Sequence, residues 1–485
     1  MLPAGFDLAA SAREEMLHEG FQPDFSPGTE EQVEALRVRP APVASGDVVD
    51  LRTLPWSSID NDTSRDLDQI EYAERVDGGI RLLIGIADVD AAVAMGTPID
   101  RHASEQTTTV YTEVHTFPML PVELSTGLTS LNENADRLAV VVDFVVAADG
   151  SIGSSSIRCA VVRNKAQLTY DGVGSWLEGT APAPAKVAAS SELQAQLRLQ
   201  DEAAGALREK RHELGALDFD RTEAHAVIAD GAVTGIAAER KNRASALIED
   251  LMVAANEVMA RALTDAGVAS IRRVVKAPER WARIVDLAAQ HGTKLPVEPD
   301  SAALAAYRAR QKSSDPIHYQ DLSLAVVKLM GPGEYVVMRP GDSSPGHFGL
   351  AAHDYTHSTA PNRRFADMVT QRLIKAVLAK QPGPYADAEL DAIAGNCTIK
   401  EDAARKVERT MQKRIAAVAL HDRVGQSFDG VVTGVTPKGV FVRVFHPPVE
   451  GRLMRGEHGL DVGDRLRVTL LDTDPQRGFI DFARG

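Results

Sequence analysis

The chain has 485 residues, 44% hydrophobic and 25% charged, with a formal net charge of −15; several domains fit in that length, and the acidity excludes indiscriminate binding to polyanions. Two cysteines, Cys159 and Cys397, are too few for a disulfide framework or a cysteine-rich zinc site. No apolar run reaches the roughly 18 residues of a membrane helix, and "MLPAGFDLAASAREEM" lacks a signal-peptide pattern, so a cytoplasmic protein without membrane contact is expected.

Residues 1–45 read as a short helical module. "LAASAREEMLHEG" carries a helical pattern closed by Gly20, and "TEEQVEALR" opens on a Thr29 cap with Gln32 at the capping-box position. Two helices and a turn fit a helix-turn-helix unit. Residues 1–50, however, hold ten acidic and three basic side chains, so an acidic packing arm is the expectation. A nucleic-acid grip belongs at the basic runs 272–276, 362–364 and 404–414.

"VRPAPVASGD" reads as a linker into a body spanning 46–422. There "DGG" at 77–79 turns between "DLDQIEYAE" and "IRLLIGIADV", and "LAVVVDFVVAADGSI" supplies a further strand from residue 138. The Pro/Ala/Ser-rich stretch 179–191 reads as a surface excursion. Helices follow. One over 245–263 aligns Leu247, Leu251, Ala255 and Val258, a second covers 366–380, and a third opens at a Thr398…Glu401 capping box and ends near 421. From 423 to 485 short alternating strands with Gly and Pro turns predict a small closed barrel, an OB fold. The expected fold is multidomain α+β: a helical N-terminal segment, a mixed α/β body and a C-terminal β-barrel.

Ahead of the hairpin, "IDNDTSRDLDQI" packs Asp60, Asp62, Asp66 and Asp68 into nine positions. On a strand Asp66 and Asp68 would share one face, and the polar "NDTSR" turn could fold Asp60 beside them. Two readings stay open on spacing alone: a hard-oxygen cage for magnesium or manganese, and a solvated loop partly neutralised by Arg65. His347, His353 and His357 fit no zinc spacing and read as structural histidines or phosphate contacts.

"IDNDTSRDLDQI" resembles the aspartate-rich motif of the RNase II/RNase R (RNB) family of 3′-to-5′ exoribonucleases. "IADVDAAVAMGTPIDRHA", "VYTEVHTFPMLPVELSTGLTSL", "ALIEDLMVAAN" and "HFGLAAHDYTHSTAPNRRFADMVTQRLIKAVL" match further blocks in order, from about residue 50 onward. The barrel resembles the S1-like domain of these enzymes. The resemblance implies a monomeric, processive, magnesium-dependent exoribonuclease that releases nucleoside 5′-monophosphates from single-stranded RNA. Asp60, Asp66 and Asp68 fall on the first three acidic positions of the motif, whose role is to hold the metal. The fourth is Gln69, which offers a carbonyl oxygen but no charge; Asp62 is an extra carboxylate that would compensate. An RNA-binding protein with a decayed nuclease site is the alternative.

Arg363 in "APNRRF" matches the arginine that contacts the scissile phosphate, with Arg364 as a second RNA contact. Tyr111 and Phe219 match aromatics that stack on the last bases, and Glu249 an acid that reaches the terminal sugar. Asn256 lies two turns along the same helix. Phe428, Lys438 and Phe441 fall where the barrel would present groups to the strand. With the first aspartate at residue 60, no room for cold-shock domains precedes it, which implies looser access and structured RNA as a further substrate.

Overall fold

The alternating apolar runs of the first half condense into one seven-stranded sheet, seen in a computed structural model that describes residues 6–217, 222–229, 232–315 and 319–485. Two helices come first, α1 (Leu8–His18) and α2 (Thr29–Arg37). The strands β1 (Val49–Asp50), β2 (Ser57–Asp60), β3 (Gln69–Val76) and β4 (Gly79–Ala87) follow. After α3 (Pro98–Gln106) comes a small separate hairpin, β5 (Val110–Tyr111) and β6 (Thr116–Phe117). The sheet is completed by β7 (Asp136–Val146), β8 (Ile152–Arg163) and β9 (Ala166–Thr169), in the order β1-β8-β7-β4-β3-β2-β9.

Asp77 and Gly78 make the two-residue turn between β3 and β4, with Gly78 at φ +91°, a backbone that a β-branched residue resists. At the central strands β4 and β7, "LLIGIA" and "AVVVDF" are buried on both faces, as a sheet covered by helices requires. Those helices include α4 (Tyr170–Leu177), the short α5 (Ala185–Ala188), α6 (Ser191–Glu213) and α7 (Arg243–Asp265). The stripe expected on α7, Leu247, Leu251, Ala255 and Val258, is in the core. The stretch 179–191 is less superficial than its composition implied. It contains α5, whose Val187 is fully buried.

Between α6 and α7 lies the hairpin β10 (Thr222–Ala229) and β11 (Ala232–Arg240). Next come β12 (Ser270–Val274), α8 (Trp281–Gln290), α9 (Ser301–Ser314), α10 (Tyr319–Leu329) and β13 (Glu334–Met338), in which Trp281, Ile284, Leu304 and Tyr307 share a separate core. Two long helices follow, α11 (Phe365–Leu378) and α12 (Asp387–Leu420). The barrel closes the described chain: β14 (Ser427–Thr436), β15 (Gly439–Val444), β16 (Glu450–Arg455), β17 (Arg465–Asp474) and β18 (Phe479–Arg484), closed as β14-β15-β16-β18-β17. Among the described residues no helix is long and apolar enough to cross a membrane.

Two capping boxes read from sequence are something else. Gly28, at φ +87°, caps α2, and Gln32 bridges instead to Thr97 Oγ1 and the Ile99 amide, both at 3.0 Å, tying α2 to the start of α3. Thr398 is interior to α12, which begins at Asp387; its hydroxyl accepts from the Tyr335 amide. A capping pattern cannot tell a start from an interior position when a tertiary partner claims the same hydroxyl.

The N-terminal helix is the packing arm its charge predicted. Ala12, Met16 and Phe21 form one core with Ala403, Val407 and Met411 of α12 and with Val110 and Phe117 of the small hairpin. Glu15 pairs with Arg414 at 3.0 Å and Glu19 with Lys406 at 3.5 Å. The basic run on α12 is thereby partly neutralised by the arm, and Arg405 by Glu401. The two arginines of the run at 272–276 are also turned inward. Arg272 donates to Ser270 Oγ and the Ala260 carbonyl, and Arg273 pairs with Glu401.

His102 on α3 is buried against Phe25, and burial pulls its pKa down to about 4 from 6.5. The fold therefore favours the neutral ring. Stability from this site is complete above pH 6.5 and is lost as pH falls toward 4, by about 3 kcal/mol at ~1.4 kcal/mol per unit. Urea unfolding from pH 7 to pH 4 will show a shallower loss for His102→Gln than for wild type.

Candidate active site

The aspartate stretch is not a strand. β3 starts at Gln69, and Asp66 and Asp68 lie in the irregular segment 61–68 between β2 and β3. That segment is held by main-chain anchors. Leu67 N donates to Ser130 Oγ (2.9 Å), Ser130 Oγ to the Arg65 carbonyl (2.8 Å), Leu131 N to the Leu67 carbonyl and Ala87 N to the Asp68 carbonyl (both 2.9 Å). Ser130 follows a single π-helical turn, Leu124–Leu128, an irregularity often found where a side chain must be re-aimed. Sequence reasoning missed Ser130; its one visible signal was its place in the "GLTSL" block.

Each carboxylate has a distinct setting. Asp60 Oδ1 accepts from Asn61 N (2.8 Å) and Ser64 Oγ (2.9 Å), and burial raises its pKa against those bonds and the nearby Arg363. Asp66 Oδ2 accepts from the Tyr111 hydroxyl at 3.2 Å. Asp68, 3% exposed, accepts from the Asn362 amide at 2.9 Å. Burial pushes its pKa up to about 7, opposed first by Arg363 and then by the Asn362 bond. Asp62 is exposed in the turn.

The convergence expected from spacing is looser in the structure. Among the described residues, no three His, Cys, Asp or Glu side chains form a ready-made metal cage. Like charges repel, and Asp60, Asp66 and Asp68 each accept from a donor of their own. The donors themselves suit a hard cation: carboxylate oxygens and the amide of Gln69, 9% exposed. Beside them Glu71, fully buried, has neither carboxylate oxygen hydrogen-bonded among the described residues.

Arg363 reaches this group from a turn ahead of α11. The turn is fixed by Asp367, whose Oδ1 accepts from Ala360 N at 2.8 Å, while Thr109 N donates to the Arg363 carbonyl and Phe365 N to the Thr107 carbonyl. The Arg363 side chain is 49% exposed, with Nε 3.7 Å from Asp68 Oδ2. Arg364 points the other way and binds Asp367 through two 2.8 Å bonds. Asn362 also accepts from Thr129 Oγ1, so "PNRR" supplies one anchor, one half-exposed guanidinium beside Asp68 and one structural pair.

Tyr111 stands at the rim, 41% exposed. Glu249, exposed near the start of α7, pairs with Lys241. Asn256 is interior, donating to Tyr355 and accepting from Ser358, a structural amide. Phe219 lies outside the described residues. The three histidines are dispersed in role. His347 caps a turn at Leu350, His357 meets Tyr335, and His353 is exposed. On the barrel, Phe428 is core against Phe482, while Phe441 sits on the outward side of β15 opposite Arg452.

A family model described as the RNB domain matches residues 48–380. The chain belongs to the RNB family. A second model, the RNase II-type exonuclease C-terminal S1 domain, matches residues 426–485, the five-stranded barrel. Ribonuclease R of Escherichia coli is 32% identical over 86% of this chain and 52% of its own length. Ribonuclease R 1 of Lactococcus lactis is 28% identical over 90% of this chain and 56% of its own. The chain thus spans about half the length of these curated relatives. The RNB fold is shared with Mycoplasma genitalium RNase R, solved with ribose-methylated single-stranded RNA, at a TM-score of 0.88, 23% identity and 99% and 78% coverage.

Proposed function

We propose that this RNB protein is a processive 3′-to-5′ exoribonuclease that cuts single-stranded RNA to nucleoside 5′-monophosphates with magnesium, or manganese, as its metal. The observation that carries the reading is the meeting of two distant segments, Asp68 and Arg363, at 3.7 Å beside the acids Asp60 and Asp66. Asp60, Asp66 and Asp68 with the Gln69 side-chain carbonyl would hold the divalent metal, which would supply an activated water and neutralise the phosphate. Arg363 contacts the scissile phosphate and stabilises the charge that grows on it. The Asn362 amide and buried surroundings keep Asp68 in one orientation.

Tyr111 stacks on a terminal base, with Phe219 on the other side. Glu249, once released from Lys241, contacts the sugar hydroxyls that distinguish RNA from DNA. The outward Phe441, with Arg443 and Arg452 on neighbouring positions, holds the strand ahead of the site.

A time course on 5′-labelled RNA with magnesium and with EDTA tests the reading. Metal-dependent conversion to one short limit product is expected. RNA that stays intact under both conditions while still shifted in a gel would make this a binding protein with a decayed site. Tyr111→Ala will lengthen the limit product by several nucleotides, because losing ~1–3 kcal/mol of stacking per base releases short ends earlier.

A further inference from the structure

Glu71 is an anomaly in the sheet. It lies inside β3, is 0% exposed, and neither carboxylate oxygen has a hydrogen-bond partner among the described residues. Its cross-strand neighbour in the β2–β3 register is Ser57, whose buried Oγ is also without a partner. Three orphaned oxygens therefore sit together in the interior. Each buried, unmet polar group costs about 1–3 kcal/mol, whereas valine at this strand position would cost nothing and favour the strand. A carboxylate kept there needs a ligand to meet it.

The location says which. Strand side chains alternate, so Glu71 shares a face of β3 with Gln69 two residues earlier. Asp60 ends the paired strand β2 and its charge reaches Glu71, and the Tyr170 phenol lies in the field of both. Asp62, the other spare acid of the segment, is exposed. Resting on the cation-dependent reading above, we propose that Glu71 is the fourth acid of the cation site. It supplies, from the next position on the same face, the negative charge that Gln69 lacks, with Ser57 Oγ as an adjoining oxygen donor.

The test is Mn²⁺ binding followed by the free-ion EPR signal, on wild type, Glu71→Gln, Gln69→Asp/Glu71→Gln and Asp68→Asn, each checked for folding by circular dichroism. Glu71→Gln should weaken Mn²⁺ binding by about tenfold or more, within the ~10–100-fold typical of lost metal-site partners. Moving the acid back, in Gln69→Asp/Glu71→Gln, should restore affinity to within about threefold of wild type. A Glu71→Gln protein that binds Mn²⁺ as wild type does, while Asp68→Asn binds weakly, overturns the proposal and leaves Glu71 a structural acid meeting a buried water. If Asp68→Asn also binds as wild type, or wild type binds no Mn²⁺, the reading of the aspartate segment itself fails. Should Glu71→Gln not fold, Glu71→Val removes the same charge with a strand-forming side chain, and the same comparison decides.

Discussion

Asp68→Asn will give a folded protein that still holds RNA and shortens it at least about 10³-fold more slowly. Asparagine keeps the size of the side chain and the acceptor for the Asn362 amide, 2.9 Å away. It removes the charge that a metal and a scissile phosphate need at the most buried of the three acids. A loss of that size is about 4 kcal/mol of transition-state stabilisation, ordinary for one ligand of a metal that activates water. Stability should not fall. Asp68 is pushed up to about 7 chiefly by burial, with Asp66 and Asp367 adding repulsion, and a neutral amide relieves both. The melting temperature, a gel shift and a 5′-label time course together check the result; unchanged degradation would remove Asp68 from the chemistry.

Neighbouring arginines should separate catalysis from folding. Arg363→Ala takes away an exposed guanidinium that meets Asp68 only at 3.7 Å. Folding should be untouched and the cleavage rate about 10²–10³-fold lower, the usual loss for one charge-stabilising donor. Arg364→Ala leaves Asp367, fully buried, without its two-bond partner. Removing one half of such a pair costs about 3–5 kcal/mol, so this variant should unfold at markedly lower denaturant. Measuring unfolding and single-turnover rates on both variants checks the division. An Arg364→Ala protein of normal stability with lost activity would reverse the two roles.

The features legible in the sequence were those set by local pattern. The β3–β4 turn at Gly78, the stripe on α7 and the alternating strands of the barrel all follow from spacing that neighbours do not override. The order of the blocks also placed Asp68 and Arg363 in one family motif set, though only the fold shows them adjacent. The misread features were decided by distant partners. Arg272 and Arg273 look like a surface grip until β12 is seen packed so that they bond Ala260 and Glu401. Thr398 looks like a cap until Tyr335 claims it. Glu71, in "DQIEYAE", carries no local signal that sets it apart in the sequence. Its burial depends on what covers that face, which period-two alternation does not encode.

The arm that packs on α12 also packs on the small hairpin. Met16 and Phe21 press on the same apolar cluster as Val110 and Phe117, the residues that brace the hairpin carrying Tyr111. The first helix thus braces the hairpin of Tyr111, while Glu15 and Glu19 are engaged with Arg414 and Lys406 of α12. Trimming the N-terminus, or wedging a tag against it, should be felt as a change in where digestion stops before it is felt as a loss of overall grip. On the exonuclease reading, the stopping point would depend in part on residues set apart from the aspartate site.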